Sequence, residues 1–245
     1  MKAGPPTVLV LQPQLNDGPS HLATWLREAG VAFELCSVEA GHTVPVDASP
    51  YAGVAMLGGA MSVNDDLPWL GRTEQLLRSA MVLSRPVLGH CLGGQMLAKA
   101  LGAAVTDNPQ PEIGWATITR HDHALARDWL GDADELPVFQ WHGQTFALPP
   151  GATWLASNAA CAHQAFAIGP HLGMQFHIEV DAEKLLRWEA DASPEAELHL
   201  PHVQSAAQMH QATRLLLPHS LAAAQRIYAH WWALAQGLLQ ARTST

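Results

Sequence analysis

The sharpest chemical signal in the sequence is Gly89-His90-Cys91-Leu92-Gly93, set between a short apolar run and a segment of helical spacing. It has the nucleophile-elbow pattern, with cysteine in the place of serine. Glycines on both sides permit the tight turn that lifts the side chain off a sheet edge. The helix that follows offers its N-terminus to the sulfur, and that partial positive charge favours thiolate over thiol. A second signal is the run GMQFHIEV at residues 173–180, which carries His177 and Glu179. In an extended chain, side chains two apart share a face, so Glu179 can hold one imidazole nitrogen and leave the other for a nucleophile. Cys91, His177 and Glu179 thus have the types and the order of a catalytic triad. A third signal, LGGAMS at residues 57–62, is a Gly-Gly turn that lets backbone N–H groups point into a cleft. Paired with the N–H of Leu92, such a donor makes an oxyanion hole.

These groups need a rigid frame. The run VLVL at residues 8–11 suits a strand buried on both faces, and Leu22, Trp25, Leu26 and Ala29 follow at helical spacing with Gly30 as a stop. Further strands are expected at 31–38, 54–57 and 86–89, and helices at 70–83 and 92–101. This alternation predicts an α/β fold: an open, mostly parallel central sheet with helices on both faces and its site at the strands' C-terminal edge. The middle of the chain is richer in short strands, at 115–119, 137–139, 154–157, 165–168 and 173–176. A helix is expected over 182–190; after Ser193-Pro194, the Ala-, Gln- and Leu-rich tail reads as two helices divided by Pro218. Residues 1–190 are expected to form the main domain and 191–245 a helical extension packed on it.

Composition narrows the function classes. The 245 residues are 48% apolar and 14% charged, enough for a full core, and the formal net charge of −9 argues against a nucleic-acid partner. Cys36, Cys91 and Cys161 are too few for a disulfide framework and suggest a reducing compartment. No apolar run approaches the ~18 residues of a membrane span, and the first residues make a poor signal peptide, so a cytoplasmic protein is expected. His121-Asp122-His123 and His199-x-x-His202 lack the ligand spacing of a metal site and read as solvated surface. Neither a metal nor a cofactor is expected. Trp231-Trp232 reads as core and surface packing, or as a contact in a homodimer.

The stretches LGGAMSVNDDLPWL, PVLGHCLGGQMLAKALGA, NPQPEIGW, PVFQWHGQTFALPPGATWLASN, QAFAIG and GMQFHIEV occur in this order over about residues 7–190. In them the chain resembles the triad-type class I glutamine amidotransferases, and most of all the stand-alone proteins similar to the amidotransferase domain of GMP synthase. The resemblance implies a flavodoxin-like fold in which Cys91 attacks the γ-carbonyl of a glutamine-like substrate, His177 moves the proton and Glu179 orients it. It implies an oxyanion hole from the backbone amides of Gly59 and Leu92. It also implies glutamyl contacts from Gly58, Gln95 and the Trp141-His142-Gly143 segment. Ammonia would leave from a γ-glutamyl thioester, and water would release glutamate.

Three positions depart from the family pattern: His90 stands for an aliphatic residue, Ala60 for proline and Gln144 for an acidic residue. The chain has no P-loop and no Ser-Gly-Gly-Val-Asp-Ser motif, so acceptor chemistry would need a separate synthase subunit. The same triad serves a γ-glutamyl peptide or amide hydrolase without a partner. A non-enzymatic regulatory protein of this fold is disfavoured by the intact Cys-His-Glu set.

Overall fold

The computed structural model describes residues 6–191 and 199–243. Its first half alternates strands β1 (Thr7–Gln12), β2 (Ala32–Ser37), β3 (Tyr51–Met56) and β4 (Val87–His90) with helices α1 (Ser20–Glu28), α2 (Pro68–Val82) and α3 (Leu92–Ala100). Then come β5 (Val105–Arg120), helix α4 (Ala124–Leu130), β6 (Glu135–Phe146), β7 (Thr153–Ser157), β8 (Ala165–Ile168) and β9 (His171–Met174). Helices α5 (Ala182–Ala190) and α6 (Ala206–Thr243) follow.

All the strands join one nine-stranded sheet in the order β2-β1-β3-β4-β9-β8-β7-β5-β6. The run from β2 to β9 is parallel, and every pairing beyond β9 is antiparallel. The apolar run in β1 has a direct cause: Val8 and Val10 enter one core layer and Leu9 and Leu11 the opposite one. The first layer also holds residues of α1, α4 and α6, the second those of α2 and α3. Both faces are therefore covered, as a parallel sheet requires. A third apolar cluster joins Trp115 and Phe139 of β5 and β6 to Leu185 and Trp188 of α5 and Met209 of α6.

Three local outcomes differ from the sequence reading. β5 and β6 are far longer than the short strands expected there, because a register shift between Asp107 and Glu112 absorbs Pro109 and Pro111 without ending the strand. α4 was not expected; His123 caps it by accepting the Leu125 N–H, so the polar His-Asp-His stretch is a helix start. The tail is one helix of 38 residues with Pro218 inside it, not two. Proline removes one helical hydrogen bond, but Pro218 and Arg214, whose carbonyl loses its donor, are both exposed, so water can satisfy that group. Burial of Met209 before the proline and of Ile227, Tyr228 and Trp231 after it holds the helix to the body on both sides.

Among the described residues no helix is long and apolar enough to cross a membrane. The three cysteines are buried and unpaired.

Candidate active site

Four neighbouring parallel strands bring the expected residues, and Asp17, which the sequence did not single out, to one edge. Asp17 follows β1, Gly58 and Gly59 follow β3, Cys91 follows β4, and His177 and Glu179 follow β9. β1 leads to β2 on one side and has β3 on the other, so the connections reverse direction there, and a crevice opens at such a point.

Cys91 sits at φ 48° and ψ −108°, a conformation rarely taken by a residue with a side chain and costing of order 1–3 kcal/mol. Its N–H donates to the Met174 carbonyl at 2.9 Å and its carbonyl accepts from Gln95 N–H at 3.0 Å, which holds the turn. Neighbouring glycines are required by close packing: a Cβ on Gly89 would lie 2.5 Å from the Gly93 backbone, and Cβ atoms on Gly93 or Gly94 would overlap the Met56 or Met174 carbonyl. α3 begins at Leu92 and is buried almost all round, so its N-terminal partial charge, about +0.5, acts on the sulfur with little screening.

His177 and Glu179 lie past the end of β9 rather than within it, and backbone hydrogen bonds to neighbouring segments keep their side chains together. His177 N–H donates to the Phe139 carbonyl at 2.8 Å, and the Glu179 carbonyl accepts from His21 N–H at 2.9 Å. With both backbones pinned, His177 Nδ1 meets Glu179 Oε1 at 2.6 Å. Burial pushes the imidazole down, yet the Glu179 carboxylate and then the Cys91 sulfur outweigh it and raise His177 to about 10. The Trp188 indole stands edge-on to the ring at 4.9 Å and walls it from solvent.

Sequence reading missed what lies behind Glu179. Lys184 of α5 is fully buried, donates to Glu179 Oε1 at 3.0 Å and to the Gly18 carbonyl at 3.1 Å, and forms an ion pair with Asp17. Burial raises the Glu179 carboxyl, but Lys184, then His177 and His90, hold it well below the usual carboxylate range. Asp17, His177 and Glu179 place ligand-type atoms within 4.8 Å of one another, and the Lys184 ammonium bonds both carboxylates of this set.

The loop after β3 packs tightly against this cluster. A Cβ on Gly58 would stand 2.5 Å from Asp17 Oδ2 and 2.7 Å from His177 Cε1, and one on Gly59 would stand 3.0 Å from Leu92. Ala60 keeps the loop anchored without the family's proline, because its N–H donates to Gln14 Oε1 at 2.7 Å. Gln144 donates to Asp107 at 3.1 Å and accepts from Ser62 at 2.7 Å, which ties the same loop to β6. His90 is fully buried and faces away from the thiol. Its Nδ1 lies 3.3 Å from the Met56 carbonyl, and its Nε2 lies 3.5 Å from the Tyr228 hydroxyl of α6 and 4.0 Å from Glu179 Oε2. Burial lowers its pKa against the pull of Glu179.

Two clefts meet at Cys91. The larger is lined by Ser62, Gln95, His142, Gly143 and Gln144, among others. The other is lined by Asn16, Asp17, His177, Trp188 and Asp191. Trp141 and Gly59 border both. Gln95 donates to the Gln144 carbonyl at 3.0 Å and to Gln175 Oε1 at 3.2 Å. His142 has both nitrogens engaged, Nδ1 with the Gln144 carbonyl and Nε2 with Glu112, each at 3.0 Å. Elsewhere, His121 bonds Ser157 and Asp122 pairs with Arg127, while His199 and His202 are exposed. Trp231 is fully buried against Gly53.

The chain is similar to known proteins in sequence and in fold. A family profile, Glutamine amidotransferase class-I, matches residues 20–185. The glutamine amidotransferase-like protein YfeJ of Salmonella typhimurium is 32% identical over 166 residues, covering 65% of this chain and 70% of that protein. The glutamine-hydrolyzing GMP synthase of Methylobacillus flagellatus is 33% identical over 172 residues, but these span only 32% of its length. The crystal structure of a glutamine amido transferase from the same organism superposes with a TM-score of 0.91 at 36% identity, covering 94% of this chain and 96% of that one. A glutamine amidotransferase from Thermotoga maritima gives 0.75 at 30% identity, covering 96% and 98%.

Proposed function

The chain belongs to the class-I glutamine amidotransferase family, and from that premise we propose that it hydrolyses the γ-amide of glutamine through Cys91, His177 and Glu179. The observation that carries this reading is the 2.6 Å bond between His177 and Glu179 beside a cysteine in a strained turn at a helix N-terminus. The sulfur attacks the γ-carbonyl, and the developing oxyanion is received by the N–H groups of Gly59 and Leu92. His177 gives its proton to the departing nitrogen, ammonia leaves, and a γ-glutamyl thioester remains. Water, deprotonated by His177, then attacks the thioester; glutamate departs and the sulfur recovers its charge. Gln95, Trp141, His142 and Gly143, which line the larger cleft, hold the glutamyl portion together with the Gly58 backbone.

The partner this reading calls for is a separate synthase that accepts the ammonia. Residues 191–245 then act as a helical extension of the 1–190 domain, in a cytoplasmic enzyme. A second reading, a γ-glutamyl amide hydrolase without a partner, is favoured by one observation. A separate cleft on the His177 side of Cys91, lined by Asn16, Trp188 and Asp191, leaves room for a leaving group larger than ammonia.

The test is release of glutamate from L-glutamine by the purified chain. Cys91→Ala is expected to abolish release while leaving the thermal unfolding transition in place. Equal release by the variant would overturn the nucleophile assignment.

A further inference from the structure

We propose that Lys184, seated on Asp17, is a positioning residue for the triad: it fixes the carboxylate of Glu179 in place and in its charged form behind His177. This rests on the triad reading and extends it by two residues that no family motif quoted above contains. Lys184 and His177 converge on the same oxygen, Glu179 Oε1, at 3.0 and 2.6 Å. An oxygen shared in this way fixes the direction from which the imidazole is held.

A lysine with no exposed side-chain surface is costly unless paired, and the pairing here is complete. Its three donors reach Asp17, the Gly18 carbonyl and Glu179, and its ammonium lies 4.7 Å from the Trp188 ring centroid. Trp188 in turn stands against His177. The lysine is thus bolted to three elements: the loop after β1, the segment after β9 and α5. The other oxygen of Glu179 is held differently. Oε2 is buried without a hydrogen-bond partner among the described residues. It faces His90, whose Nδ1 must donate to the Met56 carbonyl and whose Nε2 is turned to the Tyr228 hydroxyl.

The groups facing Glu179 are therefore His177 from its own segment, Lys184 from α5, His90 from the end of β4 and Tyr228 from α6, with Asp17 behind the lysine. Burial pushes His90 down and Tyr228 up, whereas Asp17 and Glu179 overcome burial and raise Lys184, which makes the lysine the firmest cation of this set beside His177. Without it Glu179 would be a buried carboxylate facing only the imidazolium, and it would take up a proton at a higher pH. A protonated Glu179 no longer stabilises the cation on His177, and the charge on Cys91 goes with it.

Iodoacetamide alkylation of Cys91, followed by peptide mass mapping against pH, reads that charge without any assumption about substrate. Lys184→Met is compared with Asp17→Asn/Lys184→Met, which removes the two charges together and leaves no orphaned carboxylate. In both variants the acid midpoint of alkylation is expected to move up by about 1–3 units, the usual influence of a charge at this range. Glutamate release, where the wild type shows it, is expected to fall about 10- to 100-fold in kcat with little change in KM. A folded double variant whose alkylation profile coincides with wild type overturns the proposal. So does the unfolding of both variants, which would place the pair in stability alone. If the wild type alkylates as expected but releases no glutamate, it is the substrate reading that fails, and the alkylation result still decides the role of Lys184.

Discussion

Two of the buried histidine–glutamate pairs among the described residues are joined by a hydrogen bond, and they differ in their surroundings. His177 and Glu179 lie two residues apart, whereas His142 and Glu112 are brought together across β5 and β6. In both pairs the side chains are nearly inaccessible, and the nitrogen–oxygen distances are 2.6 and 3.0 Å. The difference lies in what surrounds them. Around Glu179 the partners are cationic, Lys184 and His177, and the far side of the imidazole faces the cleft at Cys91. Around Glu112 the other donors are neutral amides, Asn158 at 2.6 Å and Gln164 at 2.7 Å, and the second nitrogen of His142 is tied to the Gln144 carbonyl. The first pair can pass a proton to something that comes and goes. The second has every position filled and clamps the 141–144 segment against the floor of the larger cleft. The pairing is common to both; what sets the first apart, and what the proposed mechanism uses, is a charged neighbourhood and an imidazole that reaches Cys91.

That contrast can be broken most severely at Glu179. Glu179→Gln keeps the shape but no longer favours the imidazolium, and kcat for glutamine hydrolysis is expected to fall by roughly 10³–10⁴. Glutamate release under saturating glutamine measures it, and a variant within a few fold of wild type would make the two pairs equivalent.

A second test uses pH. Because His177 is raised to about 10, its protonated form persists through neutral pH and is lost only as pH rises through about 10. The alkaline limb of kcat/KM is therefore expected near pH 10, with a fall of about tenfold per unit beyond it. The stability contributed by this imidazolium follows the same sign: it is full below the unfolded value of about 6.5 and lost through the folded one. A limb near neutrality would mean that the charged neighbourhood does not govern His177.

The smallest effect is expected at Glu112. Glu112→Gln removes the charge from a satisfied network, so unfolding free energy is expected to drop by about 1–3 kcal/mol while kcat changes by only a few fold. Denaturant unfolding run beside the activity assay checks it. A loss in kcat as large as that of Glu179→Gln, in a protein as stable as wild type, would erase the distinction.

How much of this was legible in the sequence depended on the range of the interaction. The elbow could be read because everything that makes it is local: an apolar strand, glycines at fixed offsets and a helix begun at Leu92. The His177–Glu179 pair was equally local. Lys184 was not, since a lysine in a short amphipathic helix, AEKLLRWEA, reads as a solvent-facing residue, and its partner Asp17 stands 167 positions away. Glu112 escaped for the same reason, with partners spread over β6 and the segments flanking β7 and β8. His90 could be flagged as unusual, but its orientation toward Tyr228 depends on where α6 lies across the sheet. The tail was misread at Pro218 because a local breaking signal was overridden by burial on both sides of it.

The packing of Gly89, Gly93 and Gly94 separates ancestry from activity. Each faces backbone atoms where a Cβ has no room, and none of these contacts depends on the sulfur between them. A descendant that lost Cys91 would still meet the same contacts: α3 against Gly89, β3 against Gly93 and β9 against Gly94. The glycine signature therefore tracks inheritance of the scaffold and would outlive the chemistry. Under the proposed mechanism, the residue at the turn is then what would separate an active relative from a silent one.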